Sequence, residues 1–147
     1  MKSELIRQLR GDEGFIRHAY QDHLGYWTIG VGRLIDARKP GSGLRDIEID
    51  FLLNNDVDDR ISALLKVLPW FQDLDDARQG VLVNMAFQMG TEGLLGFTNT
   101  LKCVKEGRYK DAANGMLNSK WASQTPNRAK RLAKQMETGA WQYTPGT

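Results

Sequence analysis

The sequence contains a pair of carboxylates, Glu13 and Asp22, whose surroundings suit acid–base chemistry. Glu13 directly follows a short amphipathic segment, and Asp22 begins a turn before a run of β-forming residues. Cleavage of a glycosidic bond requires one protonated carboxyl, which gives a proton to the leaving oxygen. It also requires one ionised carboxyl, which assists a water molecule or stabilises positive charge on the sugar ring. Most acidic pairs are only surface charges, so on residue type alone both interpretations stay open.

Other reactive side chains give weaker signals. His18 and His23 are the two histidines, their spacing does not place them on one helix face, and no cysteine cluster joins them. No serine stands in a nucleophile-elbow context. The single cysteine, Cys103, lies in a short helical pattern typical of a small buried side chain, and it excludes an intrachain disulfide. We therefore expect no metal site and no cofactor.

Two elements would position the carboxylates. Residues 3–9 form a predicted helix that ends at Gly11. Residues 22–25 are typical of a hairpin turn, and residues 26–32 alternate large apolar side chains with threonine and glycine. We expect a small antiparallel sheet, with a face of small residues that lets another group approach the backbone closely.

The remaining pattern is helical. A helix over about 46–68, roughly 30 Å long, is predicted to connect two lobes and to end before Pro69. Shorter helices are predicted over 76–89, 97–105, 109–119 and 126–138. The prediction is an α+β fold of one 147-residue domain. A β-containing lobe would cover about 12–45, and a larger helical lobe would combine about 69–147 with 1–11.

The distribution of charge and of apolar residues along the chain limits the classes of partner that it can bind. The net charge is +2, but five basic residues crowd the C-terminal part, namely Lys120, Arg128, Lys130, Arg131 and Lys134. Such a face attracts polyanions, or it is simply a solvated helix surface. No aromatic residue lies among the cations from Arg128 to Lys134, so we expect no nucleic-acid partner. No apolar run reaches the length of a membrane span, and the first ten residues lack the apolar core of a secretory signal. We therefore expect synthesis in the cytoplasm and no membrane insertion.

Several motifs resemble a known family. The N-terminal half contains Asp12-Glu13-Gly14, then Tyr20-Gln21-Asp22, then Gly25-Tyr26-Trp27-Thr28-Ile29-Gly30-Val31-Gly32. Glu13 precedes Asp22 by nine positions, and Asp22 precedes Thr28 by six. Matching segments in the C-terminal half are 84–90, 96–99 and 124–131. Together they resemble the phage-type lysozymes (endolysins of glycoside hydrolase family 24), the T-even lysozymes most closely, over nearly the whole chain.

The resemblance implies an activity and three catalytic residues. The activity would be hydrolysis, with inversion, of the β-1,4 bond between N-acetylmuramic acid and N-acetylglucosamine in peptidoglycan, for host-cell lysis. Glu13 would be the general acid, Asp22 would position or activate a water, and Thr28 would help to hold that water. The enzyme would be a monomer that reaches the cell wall once the host membrane is permeabilised. A cell-wall-binding module without activity and a lytic transglycosylase are the alternatives.

Further residues gain roles from the same resemblance. Leu34, Phe87, Gln88 and Thr100 match positions that contact the saccharide, although Leu34 and Phe87 could instead belong to the core. Arg128 matches a position that contacts the catalytic glutamate.

The chain departs from the T-even lysozymes at three places. The segment between residues 35 and 46 is shorter, and Gly115 replaces a substrate-contacting asparagine. Arg33 replaces a histidine, and we expect it to form an ion pair with Asp56 on the long helix.

Overall fold

The computed structural model describes residues 1–146. Within this range the chain forms seven α-helices, one short 3-10 helix at Pro69–Asp73 and one three-stranded sheet. The helices are α1 (Lys2–Glu13), α2 (Asp46–Val67), α3 (Asp76–Leu95), α4 (Thr98–Lys105), α5 (Tyr109–Leu117), α6 (Lys120–Gln124) and α7 (Pro126–Thr138). The strands are β1 (Ile16–Gln21), β2 (Trp27–Gly30) and β3 (Arg33–Leu34). The predicted α+β class is confirmed.

The chain divides into two compact units, an N-terminal unit of Met1–Leu52 and a C-terminal unit that begins at Leu53. The division falls inside α2. The predicted assignment of residues 1–11 to the helical lobe stays a prediction.

The sheet of the N-terminal unit is antiparallel, in the order β1-β2-β3. Thr28 lies at its centre, where it pairs with Tyr20 on β1 and with Leu34 on β3. Thr28 is buried, whereas its neighbour Trp27 is 46 % exposed. The threonine-bearing face of β2 is therefore the more enclosed one.

Helix α1 extends further than the sequence suggested. Gly11 keeps helical backbone geometry, and the helix ends only before Gly14, which has a φ of +84°. The N–H group of Gly14 donates to the carbonyl of Arg10 and closes the last turn. Glycine is the residue that adopts this conformation without a steric penalty. Glu13 is consequently the last residue of the helix rather than a residue of the following loop.

The C-terminal unit has a helical core whose largest fully buried side chains are Phe71, Leu64, Leu82, Met85, Leu94, Met116 and Met136. The helix predicted over 76–89 instead continues to Leu95, and it is kinked at Gly90, which has a φ of +81°. Helix α7 spans the predicted range 126–138, with Pro126 at its first position and Gly139 in the left-handed conformation after its last residue. No helix in the described range is both long and apolar enough to cross a membrane.

Candidate active site

The carboxylate of Glu13 lies against the backbone of Gly32. A β-carbon built at position 32 would lie 3.1 Å from Oε2 of Glu13 and 3.4 Å from its Cδ. Gly32 also has a φ of +70°, a backbone conformation that residues other than glycine rarely adopt. Glycine at this position therefore provides both the turn after β2 and the space beside the predicted general acid.

Replacing Gly32 with alanine should reduce activity by about 10-fold, because the new methyl group must displace the Glu13 carboxylate and small misplacements of catalytic groups are costly. The backbone strain should cost about 1–3 kcal/mol of stability. Gly41→Ala is a matched control, since Gly41 has a φ of +79° and a β-carbon at this position would meet no other atom within 4 Å. Turnover rates and urea unfolding of both variants check the prediction, and equal losses of turnover would contradict it.

The carboxylate of Asp22 is oriented by the turn that it begins. Its Oδ1 accepts hydrogen bonds from the backbone N–H groups of Leu24 and Tyr26, both at 2.9 Å. The N–H of Asp22 donates to the carbonyl of Tyr26 at 2.9 Å. Within residues 1–146, no hydrogen bond engages Oδ2 of Asp22. One oxygen is thus fixed by the backbone, and the other is available to a ligand.

Thr28 presents its hydroxyl in a defined orientation. The Oγ1 group donates to the carbonyl of Tyr26 at 3.0 Å, the same carbonyl that accepts from the Asp22 N–H. The proton of the hydroxyl is therefore committed, and its lone pairs remain available as acceptors. Tyr26 links the two predicted catalytic residues through its backbone.

Leu34 is half-buried and lines a pocket of about 780 Å³ inside the N-terminal unit. Residues 29–34, 40–45 and Glu48 form the walls of the pocket. Leu34 is neither a core residue nor fully exposed, so a contact with saccharide stays a prediction.

Arg33 forms its ion pair with Glu48, and the predicted pair with Asp56 is wrong. The guanidinium contacts the Glu48 carboxylate through two nitrogens, each at 2.7 Å. Arg33 also donates to the carbonyl of Gly43, and the N–H of Arg45 donates to Glu48. The loop that leads into α2 therefore brings the first turn of this helix to Arg33, the first residue of β3.

The Glu48 pair should make stability depend on acid pH. The hydrogen bond from Arg33, together with the N–H of Arg45, lowers the pKa of Glu48 from 4.5 to about 2. A depressed folded-state pKa means that the stabilisation is present above pH 4.5 and is lost as the pH falls towards 2. Denaturant unfolding between pH 2 and 7 should show the difference between wild type and Glu48→Gln shrinking over this window. A stability difference that does not vary with pH would contradict the role of the Arg33–Glu48 pair. When both variants also carry Arg33→Gln, the pH dependence of the difference should become weaker.

The predicted residues of the C-terminal unit have identifiable contacts there. Arg128 is half-buried and donates twice to Oδ1 of Asn84, at 2.9 and 2.7 Å. Gln88 accepts a hydrogen bond from the indole N–H of Trp121 at 2.9 Å. Phe87 is 43 % exposed and is not a core residue. Asn84 and Trp121 were missed in the sequence because their partners lie 44 and 33 positions away.

Thr100 is buried beside Gly115, and both line a pocket of about 420 Å³ with residues 96–99. A β-carbon at position 115 would lie only 2.6 Å from Oγ1 of Thr100. Thr100 therefore occupies the space that a side chain at position 115 would need. In the described range, no three His, Cys, Asp or Glu side chains come together as metal ligands.

Comparison with known proteins identifies the family. The sequence pattern of the phage lysozyme family matches residues 10–138. The chain belongs to the phage lysozyme family. The resemblance drawn from the motifs is thereby confirmed, and the chain is a glycosidase that hydrolyses peptidoglycan.

Three relatives of the chain differ in how much of their own length it matches. Probable T4-type lysozyme 1 of Dictyostelium discoideum is 30 % identical, over 95 % of the chain and 96 % of that protein. The pre-baseplate central spike protein Gp5 of Enterobacteria phage T4 is 32 % identical, over 92 % of the chain but 28 % of its own length. Peptidoglycan hydrolase gp36 of Pseudomonas phage phiKMV is 28 % identical, over 88 % of the chain and 15 % of its own length. The region that the chain matches therefore makes up nearly all of the first of these proteins and a small part of the other two.

Proposed function

We propose that the chain is a muramidase that cleaves the β-1,4 bond between N-acetylmuramic acid and N-acetylglucosamine with inversion. The observation that supports this most directly is the contrast between two carboxylates of one compact unit. Asp22 accepts two backbone N–H groups, which stabilise negative charge. Glu13 lies beside the uncharged backbone of Gly32. Glycoside hydrolysis uses two such carboxyl groups, one that gives a proton to the leaving oxygen and one that assists a water molecule.

Glu13 would act as the general acid. Its proton passes to the glycosidic oxygen as the bond to the anomeric carbon breaks, and the departing sugar leaves as a neutral alcohol. Glu13 ends the reaction as a carboxylate and regains a proton from solvent. Its position as the exposed last residue of α1 leaves the carboxyl open to a substrate.

Asp22 and Thr28 would hold the attacking water. Oδ2 of Asp22 accepts one proton of the water, and the lone pairs of Thr28 Oγ1 accept the other, because the hydroxyl proton of Thr28 already points to Tyr26. The lone pair of the water is then directed at the anomeric carbon. Attack from the face opposite the leaving oxygen inverts the configuration, and Asp22 takes the proton that the water loses.

The remaining site residues are assigned to substrate contact and support. Leu34, Phe87, Gln88 and Thr100 would contact the saccharide, and Arg128 would support the catalytic glutamate. Gln88 is oriented by Trp121, and Arg128 is oriented by Asn84.

Analysis of the digestion products tests the reaction. Purified peptidoglycan digested by the chain should yield fragments with a reducing N-acetylmuramic acid end by mass spectrometry. Proton NMR of early products should show the α-anomer first, because inversion at a β-linked carbon produces it. Anhydro ends would identify a lytic transglycosylase instead, and an initial β-anomer would identify a retaining mechanism.

The biological role we propose is lysis of a bacterial host by a monomeric enzyme that acts once the membrane is permeabilised. The turbidity of bacteria should fall rapidly when the chain is added to permeabilised cells, and it should fall much less with intact cells. Undiminished turbidity in both samples would favour a cell-wall-binding module without activity.

A further inference from the structure

Asp36 is the most deeply buried charged side chain of the described range, with 2 % exposure. Its carboxylate accepts four hydrogen bonds. Oδ1 accepts from the backbone N–H of Arg38 at 2.9 Å and from its Nε at 2.8 Å. Oδ2 accepts from the N–H of Trp27 at 2.9 Å and from Nη2 of Arg38 at 2.6 Å. A buried carboxylate held in this way fixes the guanidinium of Arg38 in one place.

Arg38 reaches from this anchor to the turn of Asp22. Its Nη2 also donates to the carbonyl of Gly25 at 2.9 Å. Its guanidinium carbon lies 5.1 Å from the centre of the Tyr26 ring, a cation–π distance. The loop after β3 is thereby attached to the tip of the β1–β2 hairpin.

The residues that Arg38 holds are those that orient Asp22. The N–H of Tyr26 binds Oδ1 of Asp22, and the N–H of Gly25 binds the Asp22 carbonyl. Gly25 has a φ of +81°, and glycine in such a turn loses much conformational entropy when it is fixed. A contact to its carbonyl therefore restrains the peptide that carries the Tyr26 N–H.

The charge of Arg38 also lies within reach of Asp22. Asp36 raises the pKa of Arg38 most strongly, through its hydrogen bonds, and Tyr26 and Asp22 add smaller increments. Lys39 is a second cation on the turn, with its Nζ 4.3 Å from the centre of the Tyr26 ring. Lys39 contacts the ring and not the backbone carbonyl, so it lacks the restraint that Arg38 provides.

We propose that Arg38, anchored by buried Asp36, is a positioning residue for Asp22. It holds the 22–26 turn in the form that leaves Oδ2 of Asp22 open to the attacking water. This inference rests on the proposed role of Asp22 in the muramidase reaction. The departure of the chain in the shortened 35–46 segment is the feature that supplies the restraint.

The variant Arg38→Ala tests the proposal with two measurements. Hydrogen exchange of the Leu24 and Tyr26 amides should become about 10-fold faster, because local opening of the turn is easier. The kcat on peptidoglycan should fall by about 10-fold while KM stays within about 2-fold, the pattern of a lost transition-state interaction. Arg108→Ala is the matched control, since it removes another exposed arginine that is paired with carboxylates, in this case Glu106 and Asp111. It should change neither measurement.

The variant Arg38→Lys separates geometry from charge. Lysine keeps the positive charge, but it cannot make the two-nitrogen contact to Asp36 and the bond to Gly25 together. It should therefore give intermediate values of both exchange and kcat. If Arg38→Ala does not fold, both measurements are made on Arg38→Lys instead. Wild-type exchange and kcat in a folded variant, or an effect confined to KM, would overturn the proposal.

Failure of the positioning role and failure of the proposed function are distinguishable. If Asp22→Asn is inactive while Arg38→Ala behaves as wild type, only the role of Arg38 is lost. If Asp22→Asn retains wild-type kcat, the muramidase mechanism itself is wrong, whatever Arg38 does.

Discussion

Replacing Glu13 with glutamine is expected to lower the rate of peptidoglycan hydrolysis by about 10²–10⁴-fold, the contribution that general acid catalysis typically makes. The amide has the shape of the carboxyl group but no acidic proton to give to the leaving oxygen. The side chain is exposed at the end of α1, and its close neighbour is the backbone of Gly32. An amide fits the same place, so the thermal unfolding temperature should change little.

The control for this variant is Glu4→Gln. Glu4 lies on the same helix, and it is paired with the N-terminal ammonium group in a highly exposed setting. Its replacement removes the same charge from α1 without removing the proposed acid. Release of reducing ends from peptidoglycan should therefore persist in Glu4→Gln and nearly vanish in Glu13→Gln. A folded Glu13→Gln variant with wild-type turnover would remove Glu13 from the mechanism.

Local signals in the sequence predicted some elements closely. Helix α2 was expected over 46–68 and spans Asp46–Val67, and α7 begins at Pro126 as its N-terminal proline indicated. The end of α1 was placed wrongly because two glycines, Gly11 and Gly14, compete as stop signals. Of the two, only Gly14 has a positive φ, +84°, and the helix ends there. Short-range patterns do not record such a constraint.

Predictions that depend on tertiary contacts were less accurate. Glu13 and Asp22 were selected by their resemblance to a family motif, since any two acids satisfy the chemistry in outline. The partner of Arg33 was misplaced by two helical turns, because the path of the shortened loop decides which part of α2 meets the strand. Asp36 resembles any other loop acid in the sequence. Its burial depends on an N–H from Trp27 nine positions earlier, which no local pattern reveals.

Replacing Asp22 with asparagine should reduce kcat by about 10²–10⁴-fold and leave the turn intact. The amide oxygen can take the place of Oδ1 and accept the N–H groups of Leu24 and Tyr26, because a flip of the amide in the other sense would oppose donors to donors. The NH₂ group then occupies the position of Oδ2. It cannot accept a proton from the water, so the attacking nucleophile loses its base.

Because asparagine can keep the hydrogen bonds of the turn, the fall in kcat should come from the changed Oδ2 position and not from a disrupted turn. Hydrogen exchange of the Tyr26 amide should stay close to the wild-type rate in Asp22→Asn, in contrast to the faster exchange expected for Arg38→Ala. Asp58→Asn, at an exposed position of α2, removes the same charge and should retain full turnover. An Asp22→Asn variant with slow turnover but a rapidly exchanging turn would mean that Asp22 shapes the hairpin rather than activating water. Slow turnover with a protected turn is the outcome that the proposed mechanism requires, since only the ionised oxygen facing the water has then been lost.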